Sequence, residues 1–244
     1  MQWFSTPLGA RLVAAENERL ATIVPQLYSP IAVQLGPIDD YPALGDAAAA
    51  TRVQVGIGGT AHDGVRADVV SSSAALPFAE RSVDLALLPH SLDFCDEPHQ
   101  LLREITTAIV PSGHVVIVGF NPMSLWGIWR VAAKWSRRAP WCGAFFRLSR
   151  VQDWLALLGF EVTSGSLLYY RPPLQNAAFR TRLAFLEPSG ARWWPHLAAV
   201  YIVVARKREF GATQVLGRAA RRRRLTPQLA RSATTARKIS TPNA

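Results

Sequence analysis

Between Ala75 and Trp129 the chain reads as an apolar run, a helical pattern, a turn and a second apolar run, and this order leaves few folds open. The first run is SVDLALLPH at residues 82–90 and the second is HVVIVGF at 114–120. Between them Leu101, Leu102, Ile105, Ala108 and Ile109 recur at the 3.6-residue period of one helix face. Asp96 and Glu97 can cap that helix, Pro98 suits its first position, and Pro111-Ser112-Gly113 stops it. Both flanking runs carry branched apolar residues at successive positions, as parallel strands do when helices cover both faces of their sheet. A strand, a crossover helix and a second strand make one βαβ unit of an open α/β sheet.

The rest of the chain extends this unit in both directions. Residues 8–28 read as an amphipathic helix, with Leu8, Leu12, Ala15, Arg19 and Leu20 setting the spacing, ending near Pro25. IAVQLG, 31–36, is the expected first strand, closed by Gly36 where the chain must turn sharply. RVQVGI follows as the second strand and ADVV, 67–70, as the third, with a short helix in the Ala-rich piece between the first two. A rival register would start the sheet at RVQVGIGGT, but the 18 residues from Gly58 to Leu76 are too few for the crossovers it needs. Downstream, SRVQDWLALLGF predicts a helix capped by Ser149 and stopped by Gly159. FEVTSGSLLYYR then gives a sixth strand, and AAVYIVVARK, after a Pro-rich loop at 171–196, a seventh.

Residues 123–148 stand apart, mixing Trp126, Trp129, Ala133 and Trp135 with Arg130, Lys134, Arg137 and Arg138. Such a helix can pack on the sheet, close as a lid over an apolar substrate, or lie in a membrane interface. The charge is placed as unevenly as the aromatics. Residues 1–204 hold 16 basic and 16 acidic side chains, so the net charge of +10 resides in residues 205–244. That tail has too few large apolar residues to fold alone. Its basic stretch, 218–238, could contact nucleic-acid phosphates or acidic lipid, with no RNA-binding motif beside it. No apolar run reaches the ~18–20 residues that span a bilayer. The N-terminus lacks a basic and apolar leader, and Cys95 and Cys142 have neither disulfide nor zinc spacing, so a reducing cytoplasm is expected.

LPFAERSVDLALLPHSLDF and LLREITTAIVPSGHVVIVGF resemble the fourth strand, helix and fifth strand of class I S-adenosylmethionine-dependent methyltransferases, in the branch that includes the quinone C-methyltransferases. The PHSLDF, LLRE and GFNP phrases are similar to those of a small group of bacterial methyltransferases without a settled substrate. The resemblance implies a Rossmann-like α/β fold: a seven-stranded, mostly parallel sheet with helices on both faces, a shortened first half, and a last strand antiparallel between the fifth and sixth. It implies three parts: a helical extension at 1–29, a methyltransferase-like domain at 30–207, and a disordered tail at 208–244. S-adenosylmethionine would be the cofactor, near Gln34, Gly36, Ser72, Ala74 and His90, with His90, Asp93 and Asn121 nearer the chemistry.

The sequence departs from the family pattern at three acids. Gln34 stands where the first strand carries an acid, the second strand does not end in one, and Ser72 replaces an Asp before Leu76-Pro77-Phe78. Asp63, in the loop after the second strand, could substitute. Two functions therefore stand side by side: methyl transfer to an unidentified acceptor, and a non-catalytic protein of the same fold that binds through its tail. His90 itself reads either as a base or cofactor contact or as a structural histidine, and Asp93 either as a site residue or as a cap.

Overall fold

The computed structural model describes residues 2–36, 44–45, 47–57, 67–133, 139–173 and 192–208. The chain opens with a 3-10 turn, Gln2–Ser5, and helix α1, Pro7–Ile23. Strands β1 (Ile31–Leu35), β2 (Thr51–Ile57), β3 (Val69–Ser71) and β4 (Val83–Pro89) follow. A single-turn helix α2 (Ser91–Phe94) and helix α3 (Pro98–Ala108) lead to β5 (Ile109–Phe120). Helices α4 (Leu125–Ala132) and α5 (Leu148–Leu157) precede β6 (Phe160–Leu168) and β7 (Val200–Lys207). All seven strands form one sheet in the order β3-β2-β1-β4-β5-β7-β6. β1 to β5 are parallel to one another, and β7 inserts antiparallel between β5 and β6, as expected.

Strand side chains alternate between the two faces and so feed two separate cores. Leu85, Leu87, Val116, Val118 and Phe120 face α1 and Trp126 of α4. Ala86, Leu88, Val115 and Ile117 face Leu101, Leu102 and Ile105 of α3 and Val151 and Leu155 of α5. This two-sided burial is why β4 and β5 read as continuous apolar runs.

Several local expectations need correcting. The helix at 8–28 ends at Ile23 and continues only as a 3-10 turn, because Pro25 cannot supply the next helical N–H. Pro111-Ser112-Gly113 lies inside β5 and does not terminate α3. α3 already ends at Ala108, and Ile109, fully buried opposite Val83, is drawn into the sheet. Three extra residues are absorbed between the Val83–Ile109 and Leu85–His114 pairs, with Ser112 at φ 64°, so the turn residues form an irregularity in a strand. The third strand begins two residues later than expected, at Val69. Of the Ala-rich piece, residues 47–50 are non-helical; the Ala47 carbonyl accepts from the Arg52 guanidinium. Neither Glu97 nor Ser149 caps with its side chain: Glu97 makes no capping bond, and α5 begins a residue before Ser149. Gly159 does close that helix, at φ 83°.

α4 starts from a cap that the sequence reading passed over, Ser124, whose hydroxyl accepts from Gly127 N. Trp126 is fully buried: it stacks on Phe120 at 5.9 Å, meets Trp3 edge-on, and donates its indole N–H to the Arg171 carbonyl at 2.8 Å. The start of this segment thus packs on the sheet, while Lys134, Trp135, Arg137 and Arg138 lie outside the described residues, as do Asp63 and the tail from Glu209 onward. Removing the largest anchor of that face, Trp126→Ala, is expected to lower stability by about 3–5 kcal/mol. Urea unfolding checks this, as a lower midpoint with the slope unchanged.

Candidate functional site

In an open α/β sheet, ligands lie outside the carboxyl ends of the strands where the strand order reverses, here between β1 and β4. The two strands meet closely. A Cβ on Gly36 would stand 2.8 Å from the Pro89 carbonyl oxygen and 2.9 Å from Ser91 Oγ, so only glycine fits between the tips. The Ser91 hydroxyl in turn donates to the Leu35 carbonyl. His90, next after β4, adopts the left-handed conformation at φ 53° and turns the chain into α2.

This turn sets the imidazole inward, fully buried, between two equally sealed carboxylates. His90 Nε2 lies 3.0 Å from Glu16 Oε1 of α1, and His90 Nδ1 lies 2.9 Å from Asp93 Oδ2. Asp93 Oδ2 also accepts the backbone N–H of Phe120, the last residue of β5, at 3.0 Å. The Phe120 and Phe4 rings lie over the imidazole at 4.2 and 5.4 Å, tilted by 31° and 34°. One ion cluster therefore joins α1, the tip of β4, α2 and the tip of β5.

A neutral imidazole has one N–H, whereas ionised carboxylates only accept, so two carboxylate partners call for the doubly protonated ring. Burial alone pulls an imidazole down, but the Glu16 charge and the hydrogen bonds to Asp93 and Glu16 outweigh it, raising His90 from 6.5 to about 9. Burial pushes the Asp93 carboxyl up, against the hydrogen bond and charge of His90 and the Phe120 amide. Burial, with a contribution from the Asp93 charge, likewise lifts the Tyr201 phenol well above its ordinary value.

The other candidate residues separate into two groups. Gln34 is buried in β1, in register with Gln54 and Leu87. The amide of Asn121 is spent within its own loop: Nδ2 donates to the carbonyls of His196 and Ala198, and Oδ1 accepts from Met123 N. Those bonds fix the approach to β7 beside the tip of β5. Ser72 and Ala74, by contrast, are exposed in the turn after β3, where Ser72 Oγ accepts from Ala74 N at 3.3 Å. Glu16 was missed as a site residue. Its signal was available, because positions 8, 12, 16 and 20 form one helical stripe, and an acid among three leucines marks a buried charge that needs a partner.

Residues 46–117 match the family described as methyltransferase domain. The uncharacterised protein YafS of Escherichia coli (strain K12) is 34% identical over 150 residues, 62% of this chain and 59% of its own length, so the match spans less than two thirds of that relative. Among solved structures, a SAM-dependent methyltransferase of Thermotoga maritima aligns at a TM-score of 0.63 over 85% of this chain and 94% of its own, with 18% identity. One from Archaeoglobus fulgidus reaches 0.55 over 80% and 94% with 15% identity, and one from Mesorhizobium loti 0.53 over 79% and 98% with 15%. At those identities the likeness is one of fold, and the fold is the Rossmann-like methyltransferase fold.

The ion cluster makes stability depend on pH in one direction. With a folded-state value of about 9 against 6.5, the folded protein holds a proton that the unfolded chain releases. The stabilisation from His90 is complete below pH 6.5 and lost as pH rises through 9. The full effect is about 3 kcal/mol at 1.36 kcal/mol per unit. Thermal unfolding should show the midpoint falling across that window, with the fall shallower in Glu16→Gln.

Proposed function

We propose that this chain transfers a methyl group from S-adenosylmethionine to an acceptor held over the tips of β1, β4 and β5. The observation that carries the reading is the reversal of strand order at β1 and β4 within a sheet whose 46–117 segment matches the methyltransferase domain. The described residues fit the cofactor in part. The exposed Ser72 hydroxyl and Ala74 suit the adenine end, on the open side of the β3 turn. Gly36 provides the sharp bend beside which the methionyl part would lie. No carboxylate stands at Gln34 or at Ile57, where β1 and β2 end, so the ribose hydroxyls lack the charge-assisted partners worth about 1.5–3 kcal/mol each. Binding about tenfold weaker than with such an acid follows.

When bound, S-adenosylmethionine supplies an electrophilic methyl group, and the chain's part is to position the acceptor in line with it and keep water away. In this reading His90 and Asp93 are positioning residues. They hold the tips of β4 and β5 in register through a sealed cluster, and Asn121 fixes the loop that borders the acceptor side.

A second reading, a non-catalytic protein of this fold that binds a partner through its basic tail, draws on the same missing acids. Calorimetry separates the two. Methyl transfer predicts saturable heat and a thermal shift with S-adenosylmethionine and with its demethylated product, and about a threefold to tenfold weaker affinity in Ser72→Ala, whose exposed position spares the fold. Neither heat nor shift at millimolar ligand would leave only the binding protein.

A further inference from the structure

α4 buries Trp126 and Gly127 yet leaves a stripe of large apolar residues in solvent. Leu125, Ile128 and Trp129 follow the i, i+3, i+4 spacing of one helix face, Ile128 is 64% exposed, and Val131 beside them is 71% exposed. A second apolar element stands at the same end of the sheet. Trp193 and Trp194 are 69% and 55% exposed, just before the His196 and Ala198 carbonyls that Asn121 binds. Asn121 itself follows the last residue of β5 and precedes the Ser124 cap of α4 by three positions. Single exposed apolar residues are ordinary, but two adjoining segments presenting three tryptophans and three aliphatic chains are not.

Charge decides what such a surface meets. Among the described residues of 123–152 the charged side chains are Arg130, Arg147 and Arg150, with Asp153 the next charge in the chain, and residues 192–197 add Arg192 without an acid. A protein partner would meet an apolar face without any demand for uniform sign. Indole rings that sit at the headgroup level, aliphatic side chains that enter the acyl boundary and a preponderance of arginine in the flanking sequence together match an anionic bilayer.

We propose that α4 and residues 192–197 form a docking surface for an anionic membrane, so that the tips of β4 and β5 face the lipid. The proposal draws on no residue of the basic tail and is independent of whether the cofactor binds, so failure here and failure of methyl transfer are distinct results.

The test is cosedimentation of the full chain at physiological ionic strength. Vesicles of phosphatidylcholine alone are compared with vesicles containing added phosphatidylglycerol. Three variants accompany the wild type: I128S/W129S, W193S/W194S, and the tail variant R221Q/R222Q/R223Q/R224Q. The wild type should sediment with the anionic vesicles and not with the neutral ones. Each apolar double variant should lose about tenfold or more in affinity with its thermal midpoint unchanged, and the tail variant should stay within about twofold of wild type. Three outcomes overturn the proposal: no sedimentation of the wild type with anionic vesicles; wild-type binding by both apolar variants; or loss confined to the tail variant, which would assign lipid contact to residues 218–238. Loss of dimerisation in I128S/W129S without vesicle binding would give the face to a second copy of the chain, and also overturns it.

Discussion

The contact on which the molecule's upper rim depends is the sealed ion cluster of Glu16, His90 and Asp93. A helix lying across a sheet is ordinarily held by apolar contacts that tolerate small slides. Here a fully buried charge on α1 must meet a fully buried imidazole at the tip of β4, and a displaced pair would leave an ion in the core without a partner. The same imidazole reaches Asp93, and Asp93 takes the Phe120 amide, so α1, β4 and β5 are fixed to one another at a single point. The left-handed turn at His90 and the fit of Gly36 against Pro89 and Ser91 follow from that placement.

How much of this could be read from residues alone varied with how local the cause was. β4, α3 and β5 were legible because both periodicities are strong and each strand is buried on both faces. Pro111-Ser112-Gly113 misled because a turn signature says where the chain bends and not which element absorbs the bend; burial of Ile109 against Val83 decided that. The Ser149 cap failed for a similar reason, since packing of Val151 and Leu155 on the sheet sets where α5 begins. Of the site, the sequence gives the strand tips through Gly36 and His90, because strand ends are local signals. It hides the pairing of His90 with Glu16, 74 residues apart in the chain.

The functional reading follows from the balance between a common scaffold and a thinned set of polar contacts. The sheet order reverses between β1 and β4, and the family match, residues 46–117, takes in β4 but begins after β1. The residues at the strand tips do much to hold the scaffold: both ring nitrogens of His90, Asp93 Oδ2 and the Asn121 amide bond to the protein itself, while Asp93 Oδ1 has no partner among the described residues. The apolar rim at α4 lies at the same end of the sheet as the tip of β5.

The protonation state of His90 tests the central claim most directly. Nitrogen-15 NMR of histidine-labelled protein near pH 7.5 reports each ring nitrogen separately. The account predicts that Nδ1 and Nε2 of His90 both carry protons at that pH. An unprotonated nitrogen on His90 at pH 7.5 would mean that the imidazole is not the shared cation of two carboxylates, and the cluster would not be the clamp described.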